Sequence, residues 1–385
     1  MNIAATKVKS KVRWTTGIFF FISGLIITTW TSRIPEIQQK YQLTNLELGW
    51  ILFAINAGLV TALPFTSWII TRFTSARMMT IGALLYVSVL PFIPLVQSVN
   101  VLVVMLFLFG ASRTFLSMSA NTNAIEIQQL FEKPIVAKFH GIWSLACFVG
   151  VGIGALMILF GISPLIHFSG VTVLIVASIF LVKRNSKPAK SKPEKRPFFV
   201  KPDRFLFLLG MITFFSMSCE SAMFDWSINY FDKVIKADKK FITAGYSAFI
   251  IMFTIGRLVG DKWIERFGAY PMLFACGLVM ATGFSLAILL PGVWTASAGF
   301  FMVGLGGSIV IPLVYSLAGQ TKIMLPTYAI VSVTMLGYAG FLTCPLFMGL
   351  LSEHWGMQSA FGLMAVYAAA ISFLVFIMMK KKMTT

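Results

Sequence analysis

Residues 19–30 read FFFISGLIITTW, and 196 positions later residues 215–226 read FSMSCESAMFDW; each stretch opens on Phe and closes on Trp, so Phe19 matches Phe215 and Trp30 matches Trp226. The same offset joins Gly49 to Gly245, Phe53 to Phe249, Ile55 to Ile251, Gly110 to Gly306 and Ser112 to Ser308. In so apolar a chain a few identities carry little weight. These fall at matching places in successive hydrophobic segments: first and seventh, second and eighth, fourth and tenth. Duplicated six-helix halves related by an axis along the membrane normal are a design of secondary transporters. The repeat therefore predicts an all-α membrane protein of twelve transmembrane helices in two six-helix bundles.

Composition agrees. The chain is 58% hydrophobic and 11% charged with a mean hydropathy of +0.86, against about 25% charged for soluble domains. A bilayer core demands roughly 20 apolar residues per helix. Twelve spans meet that demand: 14–32, 46–71, 78–97, 101–124, 138–160, 165–182, 205–230, 242–264, 270–290, 294–317, 328–350 and 359–379. Their length excludes the short alternating strands of a membrane barrel. The division that follows is a first bundle over 1–182, a basic linker over 183–204 and a second bundle over 205–385.

The net charge of +18 suggests nucleic acid, but its placement argues otherwise. Of 31 Lys and Arg, 23 lie in the termini, the linker and the alternate loops on the same side. Six lie in the opposite loops (Arg33, Lys40, Lys233, Lys236, Lys239 and Lys240), and Arg113 and Arg257 lie within spans. That is the positive-inside bias; it predicts a multi-pass protein of the bacterial cytoplasmic membrane with both termini cytoplasmic. The basic surface then meets anionic lipid, not nucleic acid. Lys7, Lys9, Lys11 and Arg13 ahead of an apolar run have a signal-peptide flavour, but no small-residue cleavage site follows, so an uncleaved first helix is expected.

Cys147, Cys219, Cys276 and Cys344 lie within spans and make neither a metal spacing nor a disulfide framework. The Pro- and Lys-rich run from Lys183 has no apolar period and reads as a solvated linker. No phosphate-cradling glycine loop, nucleophile–base pair or metal cluster appears, so the expectation is a carrier with no cofactor and no bound metal, and not an enzyme or an ATP-driven pump.

Polar residues inside apolar spans are costly and are functional candidates by default. The seventh span holds the densest set, Glu220 through Tyr230. Desolvation at the depth of Glu220 disfavours a charged carboxyl, so this group is the candidate to take up and release a coupling proton; permanent pairing with a buried Arg is the alternative. Asp225 stands nearer the outer mouth as a gating or binding candidate. Arg113, near the middle of the fourth span, offers a planar fork of donors to a solute or serves as the counter-ion of Glu220. Asn121 and Asn123 lie further down that span, where solvation explains them equally well. Trp30, Trp143, Trp226 and Tyr230 are candidates to stack on a solute, with membrane-interface anchoring as the alternative explanation; the repeat-related pair Trp30 and Trp226 is expected at the cavity mouth.

Arg257 and Asp261 stand four apart and share a helix face, with Glu265 and Arg266 a turn on. This pattern suggests a charge latch that breaks and re-forms, with Arg72 as the basic element of the corresponding first-half loop. His140 at the head of the fifth span, and His167 and His354 near outer loops, fit capping or solvated roles better than coupling.

These residues resemble the major facilitator superfamily over essentially the whole chain. Three stretches are similar to its branch containing the YbjJ-type inner-membrane proteins and the rhizopine-associated MosC: Trp30-Thr31-Ser32-Arg33-Ile34-Pro35, His140-Gly141-Ile142-Trp143-Ser144-Leu145, and Glu220 through Tyr230. Gly256-Arg257-Leu258-Val259-Gly260-Asp261 with Arg266-Phe267-Gly268 resembles the superfamily's gating loop. Its first-half counterpart has Thr71 where that pattern places an acid. The branch often carries an acid in the fourth span where this chain has Ser117, which moves the weight of coupling onto Glu220. The Gly-Pro signature of drug/proton antiporters is absent from the fifth span.

The resemblance implies a proton-coupled secondary carrier, working by alternating access on a small polar organic solute of sugar- or polyol-like character. The expected partners are that solute, a proton and membrane lipids, with the protein a monomer. Efflux of a metabolite or drug is an alternative within transport, and a non-transporting receptor or scaffold is an alternative outside it; the costly Glu220 and Arg113 argue against the latter.

Overall fold

The computed structural model describes residues 3–131, 135–182, 202–321 and 324–380. Residues 183–201 of the expected linker lie outside them. The described chain is a succession of helices with short connections: α1 (Ile3–Thr31), α2 (Ile34–Lys40), α3 (Asn45–Arg72), α4 (Ser75–Val89), α5 (Val99–Gln128), α6 (Val136–Leu159), α7 (Pro164–Val182), α8 (Arg204–Lys233), α9 (Ala244–Phe267), α10 (Ala269–Leu289), α11 (Val293–Gly319), α12 (Pro326–Trp355) and α13 (Met357–Lys380). Twelve are long and apolar enough to cross a membrane, and each overlaps one predicted span. The thirteenth, α2, is a seven-residue helix between α1 and α3 that the sequence reading leaves as loop.

Local chemistry sets the ends. Asp203 caps α8, its carboxylate accepting from the Leu206 N–H at 2.9 Å. Gly268 and Gly356 turn the chain between α9 and α10 and between α12 and α13 with φ of +84° and +81°, a conformation that penalises any side chain. Pro64, Pro312 and Pro345 sit inside α3, α11 and α12.

The chain forms two compact units. Unit 1 is Met1–Tyr41 with Ala54–Glu194, and unit 2 is Gln42–Phe53 with Lys195–Thr385. In unit 1, α1 packs on α6 and α4 on α5; in unit 2, α8 packs on α12, α9 on α11, and α10 on both α11 and α13. Helix α3 is divided: its first turns group with unit 2 and the rest with unit 1.

Apolar side chains gain little by leaving lipid, so helix contacts here rely on close packing at small residues. In unit 1 a Cβ on Gly110 would lie 1.8 Å from the Ile55 carbonyl oxygen, and in unit 2 one on Gly304 would lie 2.3 Å from that of Phe249. Both glycines bring backbones into contact where no other residue fits. Aromatic rings fill each interior: Trp30, Tyr86 and Phe109 in unit 1, and Tyr230, Phe300 and Phe361 in unit 2.

Candidate functional site

Unit 2 gathers the acids of α8. Glu220 and Asp225 are both half-buried, in a helix whose other residues from Ser221 to Phe231 are buried. Asp225 accepts from the Ser221 hydroxyl one turn back, at 3.1 Å. Glu220 lies within electrostatic range of Tyr315 on α11, whose phenol reaches Thr334 and lies near Tyr338, both on α12. Tyr315 thus links the three helices: it reaches Thr334 on α12 and feels the charge of Glu220 on α8. Tyr315, Thr334 and Tyr338 were not singled out in the sequence, because isolated Tyr and Thr in an apolar span look like ordinary interface residues. Tyr230 is fully buried and its hydroxyl donates to the Ala287 carbonyl at 2.9 Å, so that donor is engaged inside the unit.

Unit 1 holds the basic counterpart. Arg113 on α5 is half-buried and within electrostatic range of Tyr86 on α4. The Trp30 ring is 6.2 Å from Phe109, whose ring in turn is 4.5 Å from Tyr86. Trp30 and Trp226 are both sealed, and neither indole N–H finds an acceptor among the described residues. Asn121 is half-buried and donates to the Ser117 carbonyl at 2.9 Å. Asn123 is not solvated: it is buried and bonded to Thr16 and Ser75.

Arg33 corrects the sequence reading more sharply. Counted there as a loop charge, it is fully buried. Its Nε donates to His167 Nδ1 at 3.1 Å, one terminal nitrogen donates to the Ile162 carbonyl at 2.9 Å, and the other pairs with Glu36. A buried guanidinium is tolerated when its charge is paired and its donors are filled, as here. Lys40 and Tyr41 bind carbonyls of the loop after α4, so α2 is fastened at both ends. His167, expected near an outer loop, lies in the first turn of α7 and is buried in this cluster instead of solvated.

At the far end of unit 2 from the linker, Glu353 on α12 caps the head of α3, accepting from the Asn45 N–H at 2.8 Å, while Lys233 donates to the Asn45 side chain at 3.0 Å. Gly49 and Gly349 meet backbone to backbone just below: a Cβ on Gly349 would lie 3.0 Å from the Gly49 Cα. This cluster was invisible in sequence, since Asn45 and Glu353 are 308 residues apart.

Among the gating candidates, Arg257 on α9 stacks 4.2 Å from the Phe253 ring and its Nε donates to the Ser308 carbonyl at 3.4 Å. The Asp261 side chain lies outside the described residues. Arg72 stacks 4.3 Å from the Trp68 ring, and Arg266 is exposed 5.3 Å from the Phe267 ring. His140 is exposed and meets Phe20 edge-on at 5.4 Å; His354 is exposed beside Trp355. The four cysteines are buried, unbridged thiols.

Two halves of six long helices, with charged groups held inside each, define a membrane carrier fold. The family model of the Major Facilitator Superfamily matches residues 16–322, and the chain belongs to that superfamily. An uncharacterised MFS-type transporter of Yersinia pestis is 28% identical over 358 residues, covering 93% of each chain. The uncharacterised transporter y4wD of Sinorhizobium fredii is 25% identical, covering 92% of this chain and 95% of that one. Membrane protein MosC of Rhizobium meliloti is 26% identical, covering 89% and 84%. The crystal structure of a mutant of the nucleoside transporter NupG superposes with a TM-score of 0.77 over 96% of this chain and 99% of that one. At 12% identity it speaks for the fold alone.

Proposed function

We propose that this multi-pass transporter moves a small polar organic solute across the bacterial cytoplasmic membrane by alternating access, coupled to a proton. Family membership supports transport. The observation that carries the coupling is Glu220, a carboxylate half-buried on α8 within electrostatic range of Tyr315. An acid inside a membrane span is costly to keep charged, and a proton taken up and given back during the cycle is a reason to keep one there. Arg113 supplies a fork of donors suited to an oxygen-rich solute, with Asn121 on the same helix as a further contact; the buried rings of Trp30, Trp226 and Tyr230 shape the interiors of their units instead of touching solute. Arg257, Asp261, Arg266, Asp225 and Arg72 take the gating roles. The bodies in this reading are residues 1–182 and 205–385, with the 183–204 linker and both termini cytoplasmic and the protein monomeric.

The sugar- or polyol-like preference rests on resemblance to the MosC-containing branch. Counterflow into proteoliposomes tests it: vesicles preloaded with unlabelled myo-inositol, glucose or uridine should draw in the labelled form of at least one polyol or sugar faster than protein-free vesicles. Uptake of uridine alone would replace the solute class, and uptake of none would remove the carrier reading for this panel.

A further inference from the structure

At the linker end of unit 1, four side chains from three helices make one continuous hydrogen-bond chain. The Ser75 hydroxyl, in the first turn of α4, donates to Glu126 on α5 at 2.5 Å. Asn123, a turn earlier on α5, donates from Nδ2 to the Ser75 oxygen at 3.2 Å. Thr16 on α1 donates to the Asn123 Oδ1 at 2.8 Å. Thr16, Asn123 and Ser75 are buried, and Glu126 is partly open.

The direction of this chain is forced. A carboxylate only accepts, so Ser75 must spend its single proton on Glu126. The Ser75 oxygen is then an acceptor, and Asn123 must present its NH2 to it. That leaves the Asn123 oxygen facing Thr16, which must donate. One acid therefore orders every proton back to α1, and links aligned in this way polarise one another.

Thr16 has a second acceptor. Its hydroxyl lies 3.0 Å from the Val12 carbonyl of its own helix, nearly as close as Asn123. If α1 leaves α5, the hydroxyl turns to Val12 and no buried donor is stranded. A buried donor with no partner would oppose that release; this one is relieved within its own helix. A Val or Ala at 16 would tie nothing, and an Asn would be orphaned on release.

We propose that Glu126, Ser75, Asn123 and Thr16 are positioning residues of the transport cycle: a releasable clamp, oriented by Glu126, that holds the middle of α1 against α4 and α5. The claim rests on the carrier reading for its role in turnover, but its conformational half does not.

Two measurements on the full-length protein test it. In detergent, with no solute present, Ser75→Ala should raise hydrogen exchange at amides 12–20 of α1 about fivefold, roughly the worth of one such bond. Amides at the Thr31 end of α1 should stay unchanged. Ser75→Thr keeps the hydroxyl and should restore protection, and Thr16→Val, which removes the bond to Asn123 itself, should raise exchange over the same amides when alone and by less in the Ser75→Ala background, where Asn123 is no longer held in place by Ser75. In proteoliposomes with myo-inositol as the probe, Ser75→Ala should raise turnover by a similar factor with the half-saturating concentration unchanged. Exchange that rises evenly through unit 1, additive effects of Ser75→Ala and Thr16→Val, or an altered half-saturation with unaltered turnover would each overturn the clamp. If the wild type does not move myo-inositol, the carrier reading for that solute fails, and the exchange data still decide the clamp.

Discussion

Helices α1 and α8 stand at equivalent places in the two units, and they use those places differently. The position of Glu220 in α8 is Gly24 in α1, and that of Asp225 is Thr29. Gly24 is closed by packing: a Cβ there would lie 2.5 Å from the Trp143 carbonyl oxygen on α6. Thr29 bonds back to the Leu25 carbonyl at 2.7 Å. Beyond the shared Trp, α1 stops at Thr31 and turns Arg33 inward, whereas α8 runs on to Lys233 with Asn229 at the matching place. The charge on α5 is one-sided too: Arg113 in unit 1 answers to buried Ile309 in unit 2. The duplicated frame keeps its apolar and aromatic positions and lets its polar ones diverge, so the chemistry is to be sought where the repeat fails.

Exchanging residues at those failures breaks the comparison in graded ways. The largest effect should come from Gly24→Leu, which drives a side chain into the α6 backbone. Forced separation of close-packed helices costs about 3 kcal/mol or more, and loss of the monodisperse protein on size-exclusion chromatography would show it. Glu220→Leu at the matching site removes charge from a half-buried position and should leave the protein folded. If the two variants fold equally well, the packing-versus-chemistry contrast is wrong.

Next comes Arg33→Ala. It strands His167 and the Ile162 carbonyl and leaves Glu36 without its partner, a loss of about 3 kcal/mol. Asn229→Ala should cost about 1–2 kcal/mol, the range for a buried neutral polar group. Thermal midpoints of the purified variants give the order, and a larger fall for Asn229→Ala would reverse it.

Arg113→Lys keeps the charge but loses the planar fork. Apparent solute affinity should weaken about tenfold, the scale of one charge-assisted hydrogen bond, while the ratio of protons to solute stays fixed. A changed ratio at constant affinity would make Arg113 part of coupling instead. The smallest effect belongs to Glu353→Gln. The amide still accepts from Asn45, so the loss is confined to the charge, which faces the α3 N-terminus and Lys233, about 0.5 kcal/mol at an exposed site. A fall of several degrees in thermal midpoint would mean that Glu353 does more than cap α3.

What the sequence disclosed follows from how far each signal reaches. A membrane span is a property of some twenty neighbouring residues, so all twelve were legible, as was the repeat at a fixed offset. Glu220 and Arg113 were legible because a charge inside such a span is conspicuous by itself. Partners were not. Arg33 and His167 are 134 residues apart, and Ser75 and Glu126 are 51 apart. Nothing local marks them, and Arg33 beside Pro35 at the end of a span looked like a loop charge. The same limit hid Tyr315, whose significance comes only from the acid that folding brings near it.

Solute-driven proton movement in proteoliposomes tests the central claim most directly, with a pH-sensitive dye sealed inside and the counterflow solute added outside. The wild type should change internal pH when solute is added, and Glu220→Gln should exchange solute with no pH change. Proton movement of equal size in Glu220→Gln, or solute exchange by the wild type with none, would contradict the assignment of the coupling proton to Glu220.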